Sequence, residues 1–231
     1  MGLSPIPIRM LRSRRIEEIR MSLDKVVEVR RRWGRLYTIV TSLEKRYLVL
    51  KGPGTARFLE EGAEISEEEA VYLGGEGAVV AALDLSYRLL SVRDRTVREL
   101  EKALANEGIV DREIVDVVID RLRSNGYLDD RRLTDSFIEY MLAHKPSGPY
   151  LVRAKLRKLG VDEELIEEAI ADHFSEEVER GLALKLALKK LSRISDRRKA
   201  ARRVHDFLLR RGFSEYIVNN ISANILAGKL D

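Results

Sequence analysis

The chain has 231 residues, of which 45% are hydrophobic and 35% charged, a composition too apolar for a disordered protein and sufficient for one large core or several small units. It has no cysteine and no apolar run of 18 residues, which excludes disulfides, thiolate zinc sites, cysteine nucleophiles and a hydrophobic membrane-spanning helix. The net charge is only +4, yet Lys185 to Arg211 holds eleven Lys or Arg against two acids, whereas residues 162–179 hold nine acids and no Lys or Arg.

In chain order, residues 1–21 read as a basic arm carrying Arg9, Arg12, Arg14 and Arg15. Its prolines and arginines interrupt the apolar stretch that a secretory signal needs, which predicts a cytoplasmic protein. Residues 22–56 read as a small β-rich extension, because V-V-E-V, Y-T-I-V-T and R-Y-L-V-L are β-branched and aromatic runs separated by W-G-R and S-L-E-K. Residues 57–77 form an acidic connector ending in Gly74-Gly75-Glu76-Gly77, within which E-I-S-E-E-E (64–69) contains a small helix start. That glycine run lacks the Lys-Ser/Thr of a P-loop and the strand-glycine spacing of a dinucleotide fold, and reads as a joint.

The remainder repeats. Gly108, Gly160 and Gly212 recur at intervals of 52 residues, each preceded by an apolar residue four and eight positions earlier: Leu104 and Leu100, Leu156 and Val152, Leu208 and Val204. This is the spacing of a helix that ends at glycine. After each glycine come an apolar residue, a polar break and a second periodic helix, and a further helix precedes each pair. The predicted architecture is mostly α: three tandem three-helix repeats (78–128, 129–174 and 175–231) behind an antiparallel β-rich extension.

Helix starts are legible. Thr96 and Glu99 form a capping-box pattern, Ser147-Gly148-Pro149 opens the matching helix of the second repeat, and Asp196 suits the cap in the third. Between the first two repeats lies N-G-Y-L-D-D (125–130), whose paired carboxylates admit a metal or acid–base reading or a structural one. The structural reading uses every residue: Gly126 ends one helix, Asp129 caps the next behind Leu128, and Asp130 meets the helix dipole. No third carboxylate or histidine is fixed beside the pair, and His144, His173 and His205 lack metal-ligand spacing. No catalytic residue, metal site, cofactor or small-molecule substrate is expected.

Binding is better supported. Basic clusters are the footprint of a polyanion, and acidic blocks suit a basic protein surface. The candidate basic contacts are Arg153, Lys155, Arg157 and Lys158 in the second repeat and Arg197, Arg198, Lys199, Arg202, Arg203, Arg210 and Arg211 in the third. Base-specific readout is not expected, because no helix carries the Asn, Gln and Arg set that reads base edges.

Several of these stretches resemble the RecX family of recombinase regulators. They are L-S-V-R-D-R-T-V-R-E-L-E-K-A-L (90–104), R-L-R-S-N-G-Y-L-D-D-R-R-L (121–133), S-G-P-Y-L-V-R-A-K-L-R-K-L-G-V (147–161) and L-L-R-R-G-F (208–213). The chain departs from the usual family pattern at Asp94, where proline is common, and at Leu133-Thr134, where Phe-Ala is common. The resemblance implies a non-enzymatic regulator of the RecA filament on DNA, acting in DNA repair, recombination and the SOS response. On that reading Glu163, Glu164, Glu167 and Glu168 face basic recombinase surface, and the third-repeat arginines meet DNA or acidic subunit edges. A stand-alone repeat protein that binds single- or double-stranded DNA weakly and without sequence preference stays open as the alternative.

Overall fold

The computed structural model describes residues 24–192 and 196–230. The basic arm, residues 1–21, lies outside the described residues. The extension begins with β1 (Asp24–Arg31), β2 (Leu36–Thr41) and β3 (Arg46–Leu50), joined by tight turns into an antiparallel sheet. A fourth strand, β4 (Glu64–Ile65), adds to the free edge of β1, so the order is β3-β2-β1-β4. The acidic stretch read as a connector is folded throughout: after a short 3-10 turn at Ala56–Leu59 it supplies β4, and then α1 (Glu67–Gly74), which begins at the helix start read in E-I-S-E-E-E. Ser66 and Glu69 close a capping box at the start of α1. Phe58, Ile65 and Leu73 from this stretch join Val26, Ile39, Tyr47 and Val49 in one buried cluster. Apolar residues spaced through an acidic segment thus give it a place in the core that its charge conceals.

Asp24 is buried at the start of β1, where its Oδ1 accepts hydrogen bonds from Ser42 Oγ at 2.9 Å and from Leu43 N–H at 3.0 Å. Burial by itself would raise its pKa, but the Thr41 hydroxyl at the end of β2, with the hydrogen bonds from Leu43 and Ser42, prevails and holds the carboxyl below its ordinary value of 3.8. A carboxyl with a depressed folded-state pKa adds stability above its unfolded pKa and loses it as pH falls through the folded value. Urea midpoints should therefore decline in acid below about pH 4. In Asp24→Asn this part of the decline should be absent, and parallel curves for the two proteins would remove the assignment.

The helical part runs α2 (Glu76–Val92), α3 (Val97–Asn106), α4 (Arg112–Ser124), α5 (Asp130–His144), α6 (Pro149–Leu159), α7 (Glu163–His173), α8 (Glu176–Leu191), α9 (Arg197–Arg210) and α10 (Glu215–Leu226). These are tandem three-helix units, α2–α4, α5–α7 and α8–α10, behind the small antiparallel sheet. The glycine joint before α2 is a sharp break: Gly75 ends α1 and starts α2, and a Cβ on Gly77 would stand 3.0 Å from the Tyr72 carbonyl oxygen. The chain divides into two compact units, one comprising 24–93 with 101–125 and the other 94–100 with 126–230. In the first, α2 lies along β3 and against α4. The second contains the cores of α5–α7, centred on Ile138, Val152, Leu156 and Ile166, and of α8–α10, centred on Val204, Leu208, Phe213 and Val218.

Within the second unit the repeats join through one recurring contact. The start of a repeat's second helix packs on the glycine turn of the next repeat. Thr96 donates its hydroxyl to the Leu159 carbonyl at 2.6 Å, and the Arg98 side chain crosses Gly160. Fifty-two residues further on, Gly148 N–H donates to the Arg211 carbonyl at 2.9 Å and Tyr150 N–H to the Gly212 carbonyl at 3.1 Å. Gly160 and Gly212 hold φ of +83° and +77°, the left-handed conformation at a helix C-terminus. A Cβ on Gly212 would also overlap Leu151 N, and one on Gly148 would overlap the Gly212 carbonyl oxygen. The glycine spacing thus serves both the turn and the joint between repeats.

Asp129 and Asp130 have separate structural roles. Asp129 is the N-cap of α5 and accepts from Arg132 N–H at 2.9 Å. Asp130 reaches the first turn of α3, where its Oδ1 accepts from Val97 N–H at 3.0 Å. Beside it, Thr96 Oγ1 accepts from Glu99 N–H at 3.1 Å, and Glu99 Oε2 accepts from Thr96 N–H at 3.3 Å. The start of α3 is therefore capped by its own Thr96 and Glu99 and by a carboxylate from the following repeat.

In the third repeat Glu179 is buried, and its Oε1 accepts from Ser214 N–H at 2.6 Å, where α10 begins. Ser214 makes no side-chain cap of its own, so a residue 35 positions away caps the helix instead. Glu179→Ala leaves a half-buried donor unpaired and is expected to cost about 1–3 kcal/mol in chemical denaturation. A variant as stable as the parent would show that Ser214 N–H finds another acceptor.

Candidate partner and nucleic-acid surface

The second-repeat charges largely neutralise one another. Arg153 grips Glu167 with two hydrogen bonds of 2.6 and 2.8 Å, and Arg157 grips Glu163 in the same bidentate manner. These contacts hold Glu163 and Glu167 below the ordinary carboxylate pKa range and raise both arginines. Glu168 meets Arg131 at 3.2 Å, and the same guanidinium spans Asp135 and Asp172. Among the described residues, the half-buried Lys155 and the exposed Lys158 and Glu164 make no ion pair, and they are the charges of α6 and the start of α7 left available. The pairing was hidden in the sequence, because the acids lie one turn and one helix away from the bases they meet.

The third repeat differs. At 3.6 residues per turn, Arg198, Lys199, Arg202, Arg203 and Arg210 fall within an arc of about 140° on α9. The opposite face carries the buried Ala200, Ala201, Val204 and Leu208. The five cations are exposed, and among the described residues no carboxylate pairs with any of them. Asp206, on the same arc, lies 3.4 Å from His205 Nδ1. The result is a one-sided guanidinium and ammonium surface suited to phosphate or carboxylate oxygens.

Arg211 is used differently from its neighbours. Its Nη1 donates to the Pro146 carbonyl at 3.2 Å and its guanidinium lies 5.4 Å from the Phe207 ring centroid, so it binds the second repeat to the third. Arg197 also has a partner within the chain. The histidines have local roles: His173 bonds Asp135 at 3.1 Å, His205 bonds Asn219 at 3.2 Å, and His144 lies against Tyr140. Among the described residues no group of three or more His, Asp or Glu is placed to hold a metal ion, and no helix is long and apolar enough to cross a membrane.

The comparisons with known proteins agree with this architecture. Residues 82–122 match the family model of the first three-helix domain of RecX, and residues 129–170 match that of the second. The regulatory protein RecX of Lactobacillus delbrueckii subsp. bulgaricus is 30% identical over 208 residues, covering 89% of this chain and 76% of the relative. That of Mycolicibacterium vanbaalenii is 36% identical over 152 residues, covering 63% and 82%. Against the regulatory protein RecX of a Geobacillus species the identity is 29% over 164 residues, and the match spans only 60% of that relative's length. A crystal structure of a regulatory protein RecX superposes with a TM-score of 0.58 at 26% identity, covering 87% of this chain and 100% of that one. The RecX of Lactobacillus salivarius, at 21% identity and a TM-score of 0.58, shares the fold. With its first two three-helix domains matched in order, and a relative 30% identical over most of both chains, the chain belongs to the RecX family of regulatory proteins.

Proposed function

We propose that this protein binds the RecA recombinase filament on DNA and lowers its ATPase, strand-exchange and filament-growth activities in the cytoplasm. The observation that carries the reading is the exposed cationic face of α9 in a chain of the RecX family. Five unpaired bases on one side of a helix suit the acidic edges of successive subunits or the phosphates between them. We assign the contact surface to Arg198, Lys199, Arg202, Arg203 and Arg210, with Lys155, Lys158 and Glu164 as the second-repeat contribution. Glu163, Glu167, Glu168, Arg153 and Arg157 act mainly by holding that repeat rigid. The three repeats, 78–128, 129–174 and 175–231, are the modules we expect to engage successive subunits, and we expect no catalytic step on this chain.

The test is recombinase ATPase on single-stranded DNA, with this protein titrated in and its own DNA binding measured at the same salt. Loss of turnover at less than one molecule per recombinase subunit, without saturation of the DNA, is the expected result. Loss only when this protein covers the DNA would instead assign it simple competition for the strand.

A further inference from the structure

We propose that the turn between β1 and β2 is a second, separate contact for single-stranded DNA, with Trp33 as a stacking platform. The turn reads Arg30-Arg31-Arg32-Trp33-Gly34-Arg35, and Trp33, the chain's single tryptophan, is 52% exposed. Leu36 N–H donates to the Trp33 carbonyl at 2.8 Å and Arg32 N–H to the Leu36 carbonyl at 2.9 Å, so the turn is closed by its own backbone. Gly34, at φ +55°, takes the first central position.

Arg32 fastens this turn to the first unit, through Glu107 at 3.0 Å and Thr38 Oγ1 at 3.1 Å. The Arg88 guanidinium of α2, held by Asp84, lies beneath Gly34, 2.7 Å from where a Cβ would be. The tryptophan is thus presented on a braced turn while its indole faces water. A hairpin tip has no structural need for an exposed indole, whose burial would otherwise contribute to stability.

The charges around Trp33 complete a site for a polyanion. Arg30 pairs with Glu28 at the surface, but among the described residues Arg31 meets only the Gly34 carbonyl, at 3.3 Å. Among the described residues no carboxylate pairs with Arg35 or with Lys51, whose N–H donates to the Arg35 carbonyl at 2.8 Å. Arg35 and Lys51 also line a cleft of about 280 Å³ that contains the exposed ring of Tyr72.

Free guanidinium and ammonium groups track a phosphate backbone, and an exposed indole stacks on an unpaired base. A duplex keeps its bases stacked inside, which favours the single strand. An indole stacks on any base, and the guanidinium groups follow phosphates, so binding here is independent of sequence. Stacking and charge do not involve a recombinase; only the choice of DNA over RNA rests on the function proposed above.

The single tryptophan makes the test direct. With the protein alone, oligo-dT of about 20 nucleotides is expected to quench Trp33 emission, with a midpoint that rises steeply with salt. Trp33→Ala, and separately Arg31→Ala with Arg35→Ala, should weaken binding of labelled oligo-dT by about 5- to 100-fold. Circular-dichroism melts should match the parent, since these side chains are exposed. Reversing Arg198 and Arg202 to Glu should leave the quenching in place, because α9 belongs to the other compact unit. Unchanged emission at saturating oligo-dT, or parental affinity in both hairpin variants, overturns the proposal. Every arm omits the recombinase, so a negative result here leaves the ATPase reading intact, and a negative ATPase result leaves the quenching to be judged by itself.

Discussion

Gly212→Ala is expected to lower stability by about 2–5 kcal/mol in urea denaturation. The left-handed backbone alone costs a side-chain-bearing residue about 1–2 kcal/mol. Here the added Cβ would also overlap Leu151 N, and crowding a packed site costs a further 1–3 kcal/mol or so. Gly148→Ala should do comparable damage for the second reason alone, since its Cβ would overlap the Gly212 carbonyl oxygen and the backbone must move. Gly126→Ala is the control: its φ is +72° but nothing stands within 4 Å of the new Cβ, so only the backbone cost of about 1–2 kcal/mol applies. If Gly212→Ala and Gly126→Ala proved equally costly, the joint between repeats would contribute nothing beyond its turn. Amide exchange would show where the effect falls, with faster exchange expected at Gly148 and Tyr150, the donors across the joint.

Reversing Arg198, Arg202, Arg203 and Arg210 together to Glu is expected to abolish measurable modulation of the recombinase and to weaken filament binding by on the order of 100-fold or more. Hydrogen bonds to charged groups contribute about 1.5–3 kcal/mol each, and four such interactions would become repulsive. The four side chains are exposed and no carboxylate pairs with them among the described residues, so the melting temperature should stay near the parent's. Arg211 is left out because it binds the Pro146 carbonyl; Arg211→Ala should reduce stability instead. Modulation undiminished in the fourfold variant would remove α9 from the binding surface. If both proteins bind the filament, the log–log salt dependence should be shallower for the variant by about 0.7–0.9 for each phosphate it no longer neutralises.

Much of the helical architecture was legible in the residues. The interval of 52 between Gly108, Gly160 and Gly212, with apolar residues four and eight positions before each, marks helix ends that occur where the spacing puts them. Asp129, Asp196 and the Thr96–Glu99 box cap the helices that follow them, because these local caps bond within the first turn of their own helix. The basic face of α9 follows from the same periodicity, which sends apolar and charged side chains to opposite sides of one helix. The strand β4 was not legible: two residues of an acidic stretch pair with β1 only because the sheet edge and an apolar cluster are already there.

The sequence by itself determined the helices and the first three strands, their order, their local caps and where charge collects, since these follow from interactions spanning a turn or two of backbone. Which charged side chains are available to a partner was decided only by the tertiary structure. Arg153 and Arg157 look the same as Arg202 and Arg203 along the chain, yet the first two lie opposite Glu167 and Glu163 and the second two face water. Asp130, Glu179 and Arg211 bond groups 33, 35 and 65 residues away. Helical spacing carries no information over such separations. The stacking of repeats brings those atoms within reach, and the cost of leaving a buried polar group unpaired then commits them to one another.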